Sequence, residues 1–104
     1  MTFFTFIKND MNQVEVNSDK NRFEIEESGL LAIIDFQKIP PNILDLVHTE
    51  VPKKLTGKGI GSKLVSGALN YCKENNLKVI PSCPFIKAFI NKYPAWNDLL
   101  ARKN

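Results

Sequence analysis

The stretch HTEVPKKLTGKGIGSKLVSGALNYC, residues 48–72, decides how this chain folds. It holds the only histidine, His48, and places Gly57, Gly59 and Gly61 at alternate positions among Lys53, Lys54, Lys58 and Lys63. Over residues 59–75, Ile60, Leu64, Ala68, Tyr71 and Cys72 recur at helical spacing. Lys63, Ser66, Asn70, Lys73 and Glu74 fall mostly on the other side, so the pattern predicts an amphipathic helix. Asn75 and Asn76 suit its C-terminal end. Upstream, residues 43–51 (ILDLVHTEV) read as a strand that Pro52 ends. A strand, a glycine-rich turn and a helix therefore follow one another.

Working outward, residues 14–36 read as strands. NRFEIEE alternates apolar and charged residues, with Phe23 and Ile25 on one face. Glu27-Ser28-Gly29 makes a hairpin turn, Gly29 supplying a positive φ. LLAIIDF is expected to be a strand buried on both faces, broken by Pro40 and Pro41. After the helix, LKVIPS is a short strand. Pro84 then opens a second helix at a position where its missing N–H costs nothing. Phe85, Ile86, Phe89 and Ile90 are expected to form the buried face of that helix. A helix between two strands implies a parallel crossover. The expected fold is α+β, a mixed and mostly antiparallel sheet with a parallel strand–helix–strand unit in the C-terminal half. Residues 1–13, with the apolar TFFTFI, read as an N-terminal extension or extra strand, and residues 14–104 as the domain.

The chain has 104 residues, 43% apolar and 24% charged, which fits one globular domain with a modest core. A net charge of +3 does not by itself argue for nucleic acid. No apolar run has the length to span a bilayer, and no secretory signal is visible, so a cytoplasmic protein with reduced thiols is expected. Cys72 and Cys83, eleven residues apart, match no metal-ligand spacing with His48.

A glycine turn at the start of a helix lets a phosphate approach the backbone, where the first N–H groups lack internal partners and carry partial positive charge. The dinucleotide fingerprint fails, because its last glycine would be Ser62 or Leu64. The P-loop fails because Lys58 is followed by Gly59. A tight turn packing helix against sheet would also use these glycines.

With those readings gone, the pattern resembles the GNAT acetyltransferase superfamily. Its pyrophosphate loop, Gln/Arg-x-x-Gly-x-Gly/Ala, falls here on Thr56-Gly57-Lys58-Gly59-Ile60-Gly61. The likeness is strongest to a small, stand-alone GNAT-like branch with a His-Thr-Glu-Val-Pro strand end, a glycine loop and a later Ser-Cys-Pro-Phe. These occur as residues 48–52, 57–61 and 82–85. The resemblance implies a site for acetyl-CoA (coenzyme A) formed by Val51, Thr56, Gly57, Lys58, Gly59, Ile60, Gly61 and Ser62. Thr56 departs from the family's Arg or Gln, leaving Lys54, Lys58 or Lys63 to supply charge.

Acetyl transfer to an amine needs a held acyl carbon, a stabilised oxyanion and an exit for the amine proton. The resemblance points to His48 and Cys83 as catalytic candidates. His48, with an ordinary pKa near neutral, is a candidate base at the end of the strand entering the loop. A structural role at the strand end is the other reading. Cys83, just before Pro84, would be the N-cap of the second helix, where the dipole favours thiolate. A transient acetyl-cysteine is one route, direct transfer the other, and a buried small residue the bland alternative. His48 and Cys83 are expected to flank one cleft.

The function implied is acetyl-CoA-dependent N-acetyltransfer to an amine: a protein lysine or N-terminus, a polyamine or a metabolite. A CoA-binding protein with little transfer is the alternative. The third reading is a small basic interaction or nucleic-acid-binding module, against which the aromatics do not alternate with basic residues. The pattern leaves the oligomeric state open.

Overall fold

The computed structural model describes residues 14–101, so the expectation for residues 1–13 lies outside the described residues. The elements are β1 (Glu15–Asn17), β2 (Arg22–Glu27), β3 (Leu30–Ile39), β4 (Ile43–Glu50), α1 (Ile60–Glu74), β5 (Lys78–Pro81) and α2 (Pro84–Lys92). The five strands form one sheet in sequence order. β1 to β4 are antiparallel neighbours, and β5 joins β4 in parallel after the α1 crossover. This is the α+β mixed sheet that the sequence pattern predicts. Among the described residues, no helix is long and apolar enough to cross a membrane.

The β2–β3 hairpin closes through Ser28 (φ 55°) and Gly29 (φ 76°). Two successive positive φ values are what a two-residue turn needs to match the twist of its strands. The register then sets the faces. Phe23 pairs with Ile34 and Ile25 with Ala32, and all four are buried. Their alternates, Arg22, Glu24 and Glu26, lie on the outer face opposite Asp35, Ile33 and Leu31. There, Glu24 Oε2 accepts hydrogen bonds from Arg22 Nε at 2.8 Å and Asn17 Nδ2 at 2.9 Å.

The continuous burial expected of β3 does not hold. Ala32, Ile34 and Phe36 are buried, but Leu31 is 41% exposed. Both helices contribute to one shared core, so β3 buries one side, and its apolar run is a poor guide to two-sided cover.

α1 covers the inner face with Ile60, Leu64, Val65, Ala68, Leu69 and Cys72. Tyr71 stays at the rim, edge-on to Phe23 with ring centroids 5.6 Å apart. In α2, Ile86 and Ile90 are buried and Phe89 is half-buried. Phe85, expected in the buried face, is 46% exposed. It occupies the first turn, where the helix has just left the sheet, and its ring crosses the start of α1 instead.

β4 carries the irregularity that matters most. Phe36 pairs with Leu46, but Asp35 pairs with His48, leaving Val47 as an extra residue. A bulge of this kind shifts side-chain alternation by one. Leu44 and Leu46 face the core. Beyond the bulge Thr49 faces inward, opposite buried Ile34, and His48 turns outward opposite Asp35.

Candidate active site

β5 accompanies β4 only as far as the pair Leu46–Pro81. The chain then turns, with Ser82 N–H donating to Ile80 O at 3.1 Å and Cys83 N–H to Leu46 O at 2.9 Å. Among the described residues, no strand pairs with β4 on that side beyond Leu46. The two strands therefore part at the level of Thr49, and α2 begins beside the gap.

Above this gap the chain makes a short 3-10 turn, Lys53–Leu55, anchored by buried Leu55. Thr56 Oγ1 donates to Lys53 O at 2.6 Å and closes the turn. The side chain at the family's Arg/Gln position is thus engaged with the backbone. Gly57 (φ 82°) and Gly59 (φ 77°) take the left-handed conformation, and space is open where a Cβ would stand. Gly61 has a different reason. A Cβ there would lie 3.0 Å from the Phe85 ring.

Gly59 is the N-cap of α1, and no side chain caps this end or places an acid in its first turn. Lys63 N–H makes the first helical bond, to Gly59 O. The N–H groups of Ile60, Gly61 and Ser62 precede it and have no intrahelical acceptor. They border a cavity of about 390 Å³ lined by Thr49, Val51, Leu55, Thr56, Gly57, Gly59, Ile60, Gly61, Ser62 and Phe85. All these sequence-predicted cofactor residues line it except Lys58. Lys53, Lys54, Lys58 and Lys63 are exposed. Thr49 and Phe85 are lining residues that the sequence reading missed. Their signal was present, since each lies in a motif, but only as a neighbour of the residue singled out.

Cys83 is the N-cap of α2, as its place before Pro84 predicts, and is 5% exposed. Its Sγ lies 3.3 Å from Thr49 Oγ1. Burial pushes the thiol up, but the Thr49 hydroxyl and the backbone of Ile86, Phe85 and Thr49 outweigh it, so the thiol stands below its ordinary range. The thiol makes no capping hydrogen bond. The N–H groups of the first α2 turn therefore act on it as oriented dipoles. Burial pushes the second thiol, Cys72, up to about 12, and it is core as expected.

The expectation that His48 and Cys83 flank one cleft fails on the β4 bulge. His48 faces the outer side, its side chain 57% exposed, with Nε2 3.4 Å from Glu50 Oε1. Thr49 takes the inward place beside Cys83. No spacing in the sequence marks this phase change: the extra residue is fixed by the pairing of β4 with β3.

A model of the GCN5-related N-acetyl-transferase family matches residues 22–99. Protein NATD1 of Gallus gallus is 31% identical over 84 residues, spanning 79% of this chain and 76% of that protein. Protein NATD1 of Homo sapiens is 30% identical over 84 residues, spanning 79% and 74%. The NMR solution structure of a GCN5-like protein from Staphylococcus aureus superposes with a TM-score of 0.67 and 30% identity. It covers 90% of this chain and 92% of that one.

Proposed function

The chain belongs to the GCN5-related N-acetyltransferase family, and from that premise we propose that it takes an acetyl group from acetyl-CoA and passes it to an amine through Cys83. One observation carries the reading. A single cavity runs from the uncapped N-terminus of α1 to Thr49, whose hydroxyl touches the Cys83 sulfur.

The residues present fit the cofactor. Gly57 and Gly59 leave a cradle that any Cβ would narrow, and the N–H groups of Ile60, Gly61 and Ser62 point a positive dipole end at it. When bound, acetyl-CoA supplies an activated acyl carbon as a thioester. The glycine turn and α1 would hold the phosphates, with Lys53, Lys54 and Lys58 adding charge at the rim. Cys83 Sγ, as thiolate, is the nucleophile and becomes acetyl-Cys83. An amine then takes the acetyl group and returns the thiolate. α2 orients the sulfur through its N-cap position.

A second reading, binding with little transfer, is favoured by one observation: among the described residues, no ionisable side chain lines the cavity. No group there takes the amine's proton, and His48 lies across the sheet. An acceptor screen scoring amide formation separates the two readings.

The test common to both is a melting scan. Acetyl-CoA and CoA bind only the folded state, so they are expected to raise the melting temperature, and NAD is not. At about 100 times Kd the gain is about 2.7 kcal/mol, or roughly 10–20 °C for a domain of this size. No shift at millimolar acetyl-CoA would sink the proposal.

A further inference from the structure

We infer that Thr49 is the positioning residue for Cys83: its hydroxyl donates a hydrogen bond to Sγ and holds the nucleophile in orientation and in charge state at the edge of the cavity. The inference rests on the reading of Cys83 as acyl acceptor.

Three observations point to it. Thr49 Oγ1 and Cys83 Sγ are 3.3 Å apart although 34 residues separate them in sequence. The contact exists because the Val47 bulge rotates Thr49 inward and because Cys83 N–H is tied to Leu46 O at 2.9 Å. Thr49 also lines the cavity, so the Thr49–Cys83 pair sits at its edge.

The chemistry of the surroundings gives the direction of the hydrogen bond. A thiolate only accepts, and a hydroxyl has one proton to give, so O–H···S⁻ is charge-assisted and stronger than its neutral counterpart. No base competes. Among the described residues, the cavity lining has no ionisable side chain. Of the nearby ionisable groups, His48 and Glu50 on β4 face the outer side, and Lys87 on α2 is exposed.

Thr49 is not itself a base, so the Cys83 proton leaves to water before attack. Sγ⁻ then forms a bond to the acyl carbon, the bond from that carbon to the CoA sulfur breaks, and the CoA thiolate takes a proton from water. In the second half an amine nitrogen bonds to the acyl carbon, the carbon–Sγ bond breaks, and the amine proton passes to water. Sγ⁻ is regenerated, and Thr49 O–H donates to it as it leaves.

The test is the pH dependence of Cys83 alkylation by iodoacetamide in the intact chain without cofactor, read by peptide mass spectrometry. The midpoint reports charge state and the plateau reports access. Thr49→Val keeps shape and removes the hydroxyl; it is expected to move the midpoint up by about one pH unit, or about tenfold less thiolate at fixed pH. Thr49→Ser keeps the hydroxyl and is expected to stay near wild type. Thr49→Ala serves as a second hydroxyl-free variant should valine perturb folding. Coincident midpoints for wild type, Thr49→Val and Thr49→Ala overturn the inference. Incubation with acetyl-CoA alone tests the underlying reading separately. A midpoint that moves, with no acetyl mass on wild-type Cys83, overturns the acyl-acceptor reading and leaves the Thr49–Cys83 hydrogen bond standing.

Discussion

At the scale of the residue, the two cysteines show how place decides chemistry. Cys72 sits on the apolar stripe of α1, and burial alone drives its thiol up to about 12. Cys83 is also buried, but a hydroxyl and a helix N-terminus face it, and its thiol moves the other way. Iodoacetamide at pH 7.5 is therefore expected to modify Cys83 at least tenfold faster than Cys72, since thiolate is the attacking form. Cys72 is expected to react only once denaturant opens the core, and acetyl-CoA to protect Cys83. Equal rates in the folded protein, measured on separated peptides, would remove the basis for a nucleophilic Cys83. Both placements were legible in the sequence, one from helical spacing and one from the Cys-Pro step. Thr49, which supplies the partner, was not.

At the scale of the element, α1 is shaped by its glycines in different ways. Gly57 and Gly59 precede it with left-handed backbone, Gly61 makes room for Phe85, and Gly67 makes room for Val14, the residue before β1. A Cβ at Gly67 would run into Val14 Cγ2 and lie 2.7 Å from its Cβ. Alanine gains about 1 kcal/mol in helix propensity, but overpacking costs about 1–3 kcal/mol. Gly67→Ala is thus expected to destabilise the wild type by roughly 1 kcal/mol. In a Val14→Gly background both contacts are gone, and the same change is expected to stabilise by up to about 1 kcal/mol. Urea titration of the four proteins closes the cycle; additive effects would show that Val14 does not pack over Gly67. Sequence spacing shows that Gly67 is in the helix, but not why, because the reason lies in Val14, far earlier in the chain.

At the scale of the whole molecule, two groups shape stability at the ends of the pH range. Hydrogen bonds from Arg22, then Asn17, hold Glu24 below its ordinary 4.5. Its contribution is present above that value and is lost as pH falls through the folded pKa. Cys72 has the opposite sign: its thiol is favoured in the fold, so its contribution is full below the unfolded value of about 8.5 and is lost as pH rises toward about 12. The melting temperature is expected to fall below about pH 4.5 and above about pH 8.5. Glu24→Gln should flatten the acid limb and Cys72→Val the alkaline one. Unchanged limbs in these variants would assign the pH dependence to other groups.

The sequence by itself determined the element order, the sheet class, the glycine turn at the head of α1, the core place of Cys72 and the N-cap place of Cys83. These follow from local rules: periodicity, proline and glycine geometry, and capping. Tertiary structure alone decided which side chains meet. Whether β3 buries one face or two depends on how many layers cover the sheet. The exposure of Phe85 depends on where α2 leaves the sheet. The bulge at Val47 depends on the pairing of β4 with β3, and one extra residue there sends His48 outward and brings Thr49 to Cys83. A strand's alternation is readable along the chain, but its phase is set by its partner, and the candidate site lies where that phase changes.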